Sequence, residues 1–333
     1  MVMRIIMKTS ILVVILTLIL GCTTIYTRFN EEIDNDLRIS LKNKSLAIIK
    51  GIKSGDDKYY KDLLSDEFLK NTPDQKKLQF ALEDRFNIER YELIEEYYTH
   101  VVGSISSVTI ITDEEKRLLI QQMQPVGEYS YAQFWKSDSL GLQHILFFYY
   151  GKQNNKWKLF TLYIGDYSIE NQIAPDLIQK SNKLCEDKKY LSSIIYALAS
   201  QKVLRPAPFL LYKNEGDYKE TINKIFKKFE SNYNLPILLE ATNGTKLFSI
   251  DLVVTTSGIT PIFSYLTHTD ISNHEQIIEE SDMVFTKINN IFPDTKDNFQ
   301  YIALKAFNEL PTKPGKEYHG YGTVFKDGKR AKF

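Results

Sequence analysis

Residues 145–164 read "ILFFYYGKQNNKWKLFTLYI". Two runs of aromatic and aliphatic side chains flank "GKQNNK" at residues 151–156, a polar, Asn-rich break of hairpin type. The stretch predicts two antiparallel strands, Leu142 to Tyr150 and Trp157 to Tyr163. A strand with one face in water alternates apolar and polar residues. Phe147, Phe148, Tyr149 and Tyr150 do not alternate, so both faces of this strand should be covered.

Working backwards, Tyr97 to Ile111 and Gly127 to Lys136 also read as strands, and "KSDSLG" (residues 136–141) is a turn. Further upstream the period changes to that of helices. Leu37, Leu41, Leu46, Ile49 and Ile52 mark a first helix, closed by Gly51 and Gly55. Tyr60, Leu63, Leu64 and Phe68 mark a second, over Asp57 to Lys70. A third starts near Pro73, with Leu78, Leu82 and Phe86 on one face. Helices followed by an antiparallel meander make an α+β order.

This order resembles the NTF2-like cone. "KSGDDKYYKDLLSDEF" (residues 53–68) resembles the opening helix pair of such domains, and "NKWKLFTLYI" (residues 155–164) their closing strand. The resemblance covers residues 34–169. It implies a curved antiparallel sheet wrapped round helices, with a pocket at the open end. It implies either a binding or dimerisation module or an isomerase, dehydratase or hydrolase with an Asp, His or Tyr in the pocket. No catalytic motif of the family matches particular positions here.

Downstream, residues 170–233 read as a helical connector. "SNKLCEDKKYLSSIIYALASQKVLRP" (residues 181–206) resembles one tetratricopeptide-like hairpin, with Tyr190 and Ala199 at that family's spacing. A single such unit cannot bury its own face, so it should pack on its neighbours. Pro206 and Pro208 end the hairpin, and Ile222, Ile225, Phe226 and Phe229 stripe a further helix. Residues 234–333 then read β-β-β-α-β-β, a second small α+β domain, with Asn273 capping a helix from His274 to Ile291.

The first residues give an address. Arg4 and Lys8 precede an apolar run, Ile11 to Leu20, broken only by Thr17. The run is about half of the ~20 residues a spanning helix needs. It ends in Ile19-Leu20-Gly21-Cys22, which resembles the lipobox of bacterial lipoproteins. The resemblance implies cleavage of residues 1–21 and lipidation at Cys22, the new N-terminus. Residues 22–33 would then be a short tether. Thr23, not an Asp, follows the cysteine. For a diderm host this implies the outer membrane, with the body facing the periplasm.

Composition narrows the rest. Losing residues 1–22 removes Arg4 and Lys8 from 42 basic side chains set against 42 acidic ones, leaving a net of about −2. That argues against a nucleic-acid partner, which would need a basic face. With Cys22 acylated, Cys185 is the remaining cysteine and has no internal disulfide partner.

Candidate chemistry is thin. The five histidines are His100, His144, His268, His274 and His319. His268, Asp270 and His274 lie close in sequence, but zinc needs three or four ligands at structural spacings, so a metal is not expected. Asp166 and Glu170 follow the last strand of the first domain and read first as a solvated turn, the alternative being a general acid that faces a pocket. "TTSGITP" (residues 255–261) lacks a nucleophile-elbow pattern. No cofactor is implied. The sequence thus points to a membrane-anchored envelope lipoprotein that acts without catalysis as a binding module, for a ligand, a protein partner or a second copy of itself. The alternative is a small-molecule isomerase or hydrolase using the cone pocket.

Overall fold

The structure is a computed structural model. It describes residues 24–56, 58, 60–71, 91–103, 108–111, 119–123, 126–137, 140–239, 244–312 and 316–331. Cys22 with the segment before it, and the helix expected between Pro73 and Phe86, lie outside the described residues. The chain is α+β and forms two compact units.

In chain order the first elements are β1 (Thr24–Phe29), α1 (Asn35–Ser54), α2 (Asp66–Asn71), β2 (Tyr91–Val102), β3 (Val108–Ile111), β4 (Leu119–Met123), β5 (Tyr129–Ser137), β6 (Leu142–Gln153) and β7 (Lys156–Ile169). Five of the strands make one sheet in the order β1-β2-β5-β6-β7. The β6–β7 turn has Asn154 and Asn155 at φ 52° and 61°, the left-handed pair of a type I′ hairpin, which asparagine tolerates. Helix α1 starts where Asp34 Oδ1 accepts from Leu37 N at 3.0 Å, and it stops at Gly55 in the left-handed conformation.

The core of this unit lies between α1 and the sheet. Leu41, Ile48 and Ile52 meet Tyr131, Trp135, Leu146, Phe148, Tyr150 and Leu159. Phe147 and Tyr149, on the other face of β6, join an aromatic row: ring centroids are 4.8 Å apart for Phe134–Phe147 and 5.7 Å for Tyr97–Phe134. All four residues of the non-alternating run are at most 4% exposed. Burial of each such side chain contributes about 1.5–3 kcal/mol.

Three elements depart from the sequence reading. The expected second helix is broken into a 3₁₀ turn (Lys61–Leu63) and α2. Between them Leu64 bridges to Leu159, and Ser65 N donates to Leu159 O at 2.9 Å, so the backbone there bonds to a strand. Residues 24–29, read as part of a tether, form edge strand β1, in register with β2 from Thr24↔Val102 to Phe29↔Tyr97. Strand β2 begins at Tyr91 and is bulged between Leu93 and Glu95.

Of the described residues, the second unit takes in Leu119, residues 140–144 and the chain from Gly165 on. Its further elements are α3 (Ala174–Glu186), α4 (Tyr190–Val203), β8 (Leu210–Tyr212), α5 (Glu215–Glu230), β9 (Ile237–Leu238), β10 (Lys246–Thr255), β11 (Gly258–Leu266), α6 (His274–Ile291), α7 (Thr295–Asn298), β12 (Tyr301–Phe307), β13 (Tyr321–Lys326) and β14 (Lys329–Arg330). The sheet order is β14-β13-β12-β11-β10-β9. Only β11 and β12 run parallel, because α6 carries the chain back between them. Leu177, Ile194 and Ile195 of the helical hairpin share one hydrophobic core with Phe263, Tyr265, Ile288 and Phe292. Cys185 is half-buried on α3.

Candidate functional site

The interior of the first unit holds a polar chain inside an apolar shell. On α1, residues 38, 41, 45, 48 and 52 recur at helical spacing, and two of them, Arg38 and Ser45, are polar. On β2 the bulge at residues 93–95 shifts the side-chain alternation by one residue. Glu96, rather than Glu95, therefore shares a face with Leu93 and Tyr98 and is 1% exposed.

Glu96 is surrounded by donors. Arg38 Nε donates to Oε2 at 2.7 Å, and Tyr131 OH and Gln133 Nε2 donate to Oε1 at 2.7 and 2.9 Å. The Gln133 amide oxygen accepts from Ser45 Oγ at 2.5 Å, and the Ser45 hydroxyl lies 2.7 Å from Tyr150 OH. Since the Ser45 proton goes to Gln133, Tyr150 donates to Ser45. The network thus runs one way, Tyr150 to Ser45 to Gln133 to Glu96, and ends on a carboxylate neutralised by a guanidinium.

This geometry limits the chemistry. Burial pushes the Tyr131 phenol up, and its hydrogen bond to Glu96 pushes it further. Burial likewise raises the Tyr150 phenol. Both stay protonated at neutral pH and act as donors, not bases. The hydrogen bond to Glu96 raises the Arg38 guanidinium above its ordinary value. Three donors fill most of the roughly four acceptor sites of the Glu96 carboxylate and fix its position.

The candidates named from sequence are distributed as follows. His144 on β6 and Asp166 on β7 come together, with Nδ1 3.0 Å from Oδ1 and Lys202 Nζ 3.9 Å from Oδ2. Glu170 instead accepts from Ile259 N at 3.1 Å and holds the start of β11. His100 stacks on Tyr129 at 4.6 Å, with Nε2 3.0 Å from Glu128 Oε1. His274 packs on Tyr321 at 4.9 Å, and His268 and His319 are exposed. Among the described residues no group of three or more His, Cys, Asp or Glu could hold a metal ion, and no helix is long and apolar enough to cross a membrane.

Comparison with protein-family models, curated proteins and solved structures finds no match.

The second unit contributes a buried carboxylate that the sequence reading missed. Glu280 on α6 is 6% exposed and accepts from Thr267 Oγ1 at 2.9 Å and from Thr269. Its signal was the same as that of Arg38 and Ser45: a polar residue inside an apolar helical stripe, here between Ile277 and Val284.

The six-stranded sheet has two unlike faces. One packs on α6, where Tyr265 OH lies 3.1 Å from Ser281 Oγ and the Phe285 and Phe325 rings stack at 4.0 Å. On the other face the cross-strand row Ile262–Ala303–Val324 is half-buried, with exposed Asp251 at its β10 end. Around it lie Lys246, Lys305, Lys326 and Lys329, all exposed. Lys305 Nζ sits 5.0 Å from the Phe307 ring centroid, and Lys326 Nζ sits 5.4 Å from that of Tyr301. Paired residues share a face of a sheet, so four lysines and one aspartate border this apolar centre.

Proposed function

We propose that the chain is a bacterial lipoprotein, anchored to the cell envelope through a lipidated Cys22, whose body is a non-enzymatic binding module. The observation that carries the binding reading is the half-covered, lysine-bordered face of the six-stranded sheet. Contiguous apolar surface rimmed by polar side chains is what protein-interaction sites present. The excess of lysines suits an acidic protein partner. An NTF2-like assignment of the first unit draws support from an antiparallel sheet packed on a long helix and from the polar interior around Glu96. Catalysis in that interior finds less support, because the donors around Glu96 occupy both carboxylate oxygens. For a diderm host, Thr23 after the cysteine supports the outer membrane, with the body facing the periplasm.

The test is cross-linking in intact cells. A photo-cross-linking residue at Val324 or Ala303 should capture a defined protein, and Lys305→Glu with Lys326→Glu should abolish capture. Equal capture from a position on the opposite face, such as Met283, would sink the assignment of that surface.

A further inference from the structure

A cleft of about 430 Å³ opens in the second unit between α4, α5, the segment after α5 and β10. It is separate from the sheet face above and does not depend on the lipid anchor. Its floor is apolar and buried: Ile194 and Phe229 are each 4% exposed. Phe226 and Tyr233 are half-buried in its wall. The aromatic groups are braced from behind, with Tyr233 4.8 Å from Phe292 and 5.1 Å from Phe229 between centroids. Glu230 is exposed and, among the described residues, is the lining residue that carries a formal charge.

Three features together select a ligand. The volume falls within the roughly 300–1,000 Å³ of small-molecule sites. The walls offer aromatic rings, whose faces attract cations. The one charge is negative, so a ligand anion would be repelled and a cation drawn in. We infer that this cleft binds a small organic cation with an apolar body, its alkylated ammonium group directed at Phe226, Tyr233 and Glu230. Burial raises the Tyr233 phenol, which keeps that wall neutral.

The experiment uses the full-length chain with labelled Ile and Leu methyl groups, titrated with choline and with its uncharged isostere 3,3-dimethylbutan-1-ol. The expected result is a shift of the Ile194, Leu198 and Ile250 methyl signals by both compounds, with choline binding roughly fivefold more tightly, as a cation–π contact with added charge attraction requires. Glu230→Gln, at an exposed position, should fold normally and shrink that preference to about twofold. Phe226→Ala should weaken both ligands. Equal affinity for the two compounds in the unaltered protein would overturn the assignment of a cation. So would methyl signals in the cleft that move with neither compound.

Discussion

Replacing Arg38 by Met removes the cation that, among the described residues, pairs with Glu96, and leaves most of the side-chain volume in place. Glu96 is 1% exposed, so its charge cannot turn to water. Breaking a buried ion pair from the side of its more exposed partner costs about 3–5 kcal/mol, because the remaining charge is uncompensated. The Tyr131 and Gln133 hydrogen bonds survive and offset part of this, so the expected loss is about 3 kcal/mol. The reverse substitution is milder. In Glu96→Gln the Arg38 side chain, 27% exposed and 3.9 Å from Glu31, still has solvent and a second carboxylate. The new amide oxygen can still accept from Tyr131, so the expected loss is about 1–2 kcal/mol. Urea unfolding followed by tryptophan fluorescence reads this unit selectively, since both tryptophans, Trp135 and Trp157, lie in it. With a domain stability of about 5–15 kcal/mol, both losses are measurable. If Arg38→Met costs less than about 1 kcal/mol, or less than Glu96→Gln, Glu96 is not the buried anion described here.

Three more outcomes follow from single positions. Gly165→Ala would place Cβ 1.5 Å from Pro206 O, so the strand or the loop must move; expect a loss above about 2 kcal/mol in thermal unfolding, with a wild-type melting curve contradicting the close approach. Burial pushes the Glu215 carboxyl up, but hydrogen bonds from Lys219 and Arg205 more than offset it and hold it below the ordinary value of 4.5. Its stabilisation is therefore present above the unfolded pKa and lost as pH falls through the folded one, so the melting-temperature gap between wild type and Glu215→Gln should be constant above about pH 5 and close below it; a gap that widens in acid would reverse the sign. Cys185→Ala, at a half-buried position with no disulfide, should change stability by under about 1 kcal/mol, and a mobility difference between reduced and oxidised gels would instead reveal an intermolecular disulfide.

Local signals carried the elements that have local causes. Asp34 and Gly55 bound α1, Asn273 starts α6, and the Asn154-Asn155 turn closes β6 on β7; each is fixed by one or two side chains next to the element. Where a long-range contact decides, the sequence misleads. Helical spacing from Tyr60 to Phe68 is genuine, yet the pairing of Leu64 and Ser65 with Leu159 breaks the helix. Six residues at 24–29 gain strand form by pairing with β2, about seventy residues away.

The Glu96 site was hidden for a similar reason. Its partners Arg38, Tyr131 and Gln133 stand 58, 35 and 37 residues away. Choosing Glu96 over Glu95 needs the bulge, and a one-residue slip moves every later side chain to the other face. Arg38 and Ser45 within an apolar helix stripe were the legible clue. His144 and Asp166 were each legible as candidates, but their meeting depends on the pairing of β6 with β7.

The lipid anchor proposed at Cys22 leaves a chemical mark at the N-terminus of the mature chain. Express the full-length chain in a bacterium with an intact lipoprotein pathway, purify it from the membrane fraction, and determine the N-terminal peptide by mass spectrometry. The chain is expected to begin at Cys22, this residue to carry a diacylglyceryl group, and Cys22→Ser to yield neither the lipid nor the cleavage. A chain that keeps residues 1–21 with an unmodified Cys22 thiol, or one cut elsewhere and released from the membrane, would contradict it.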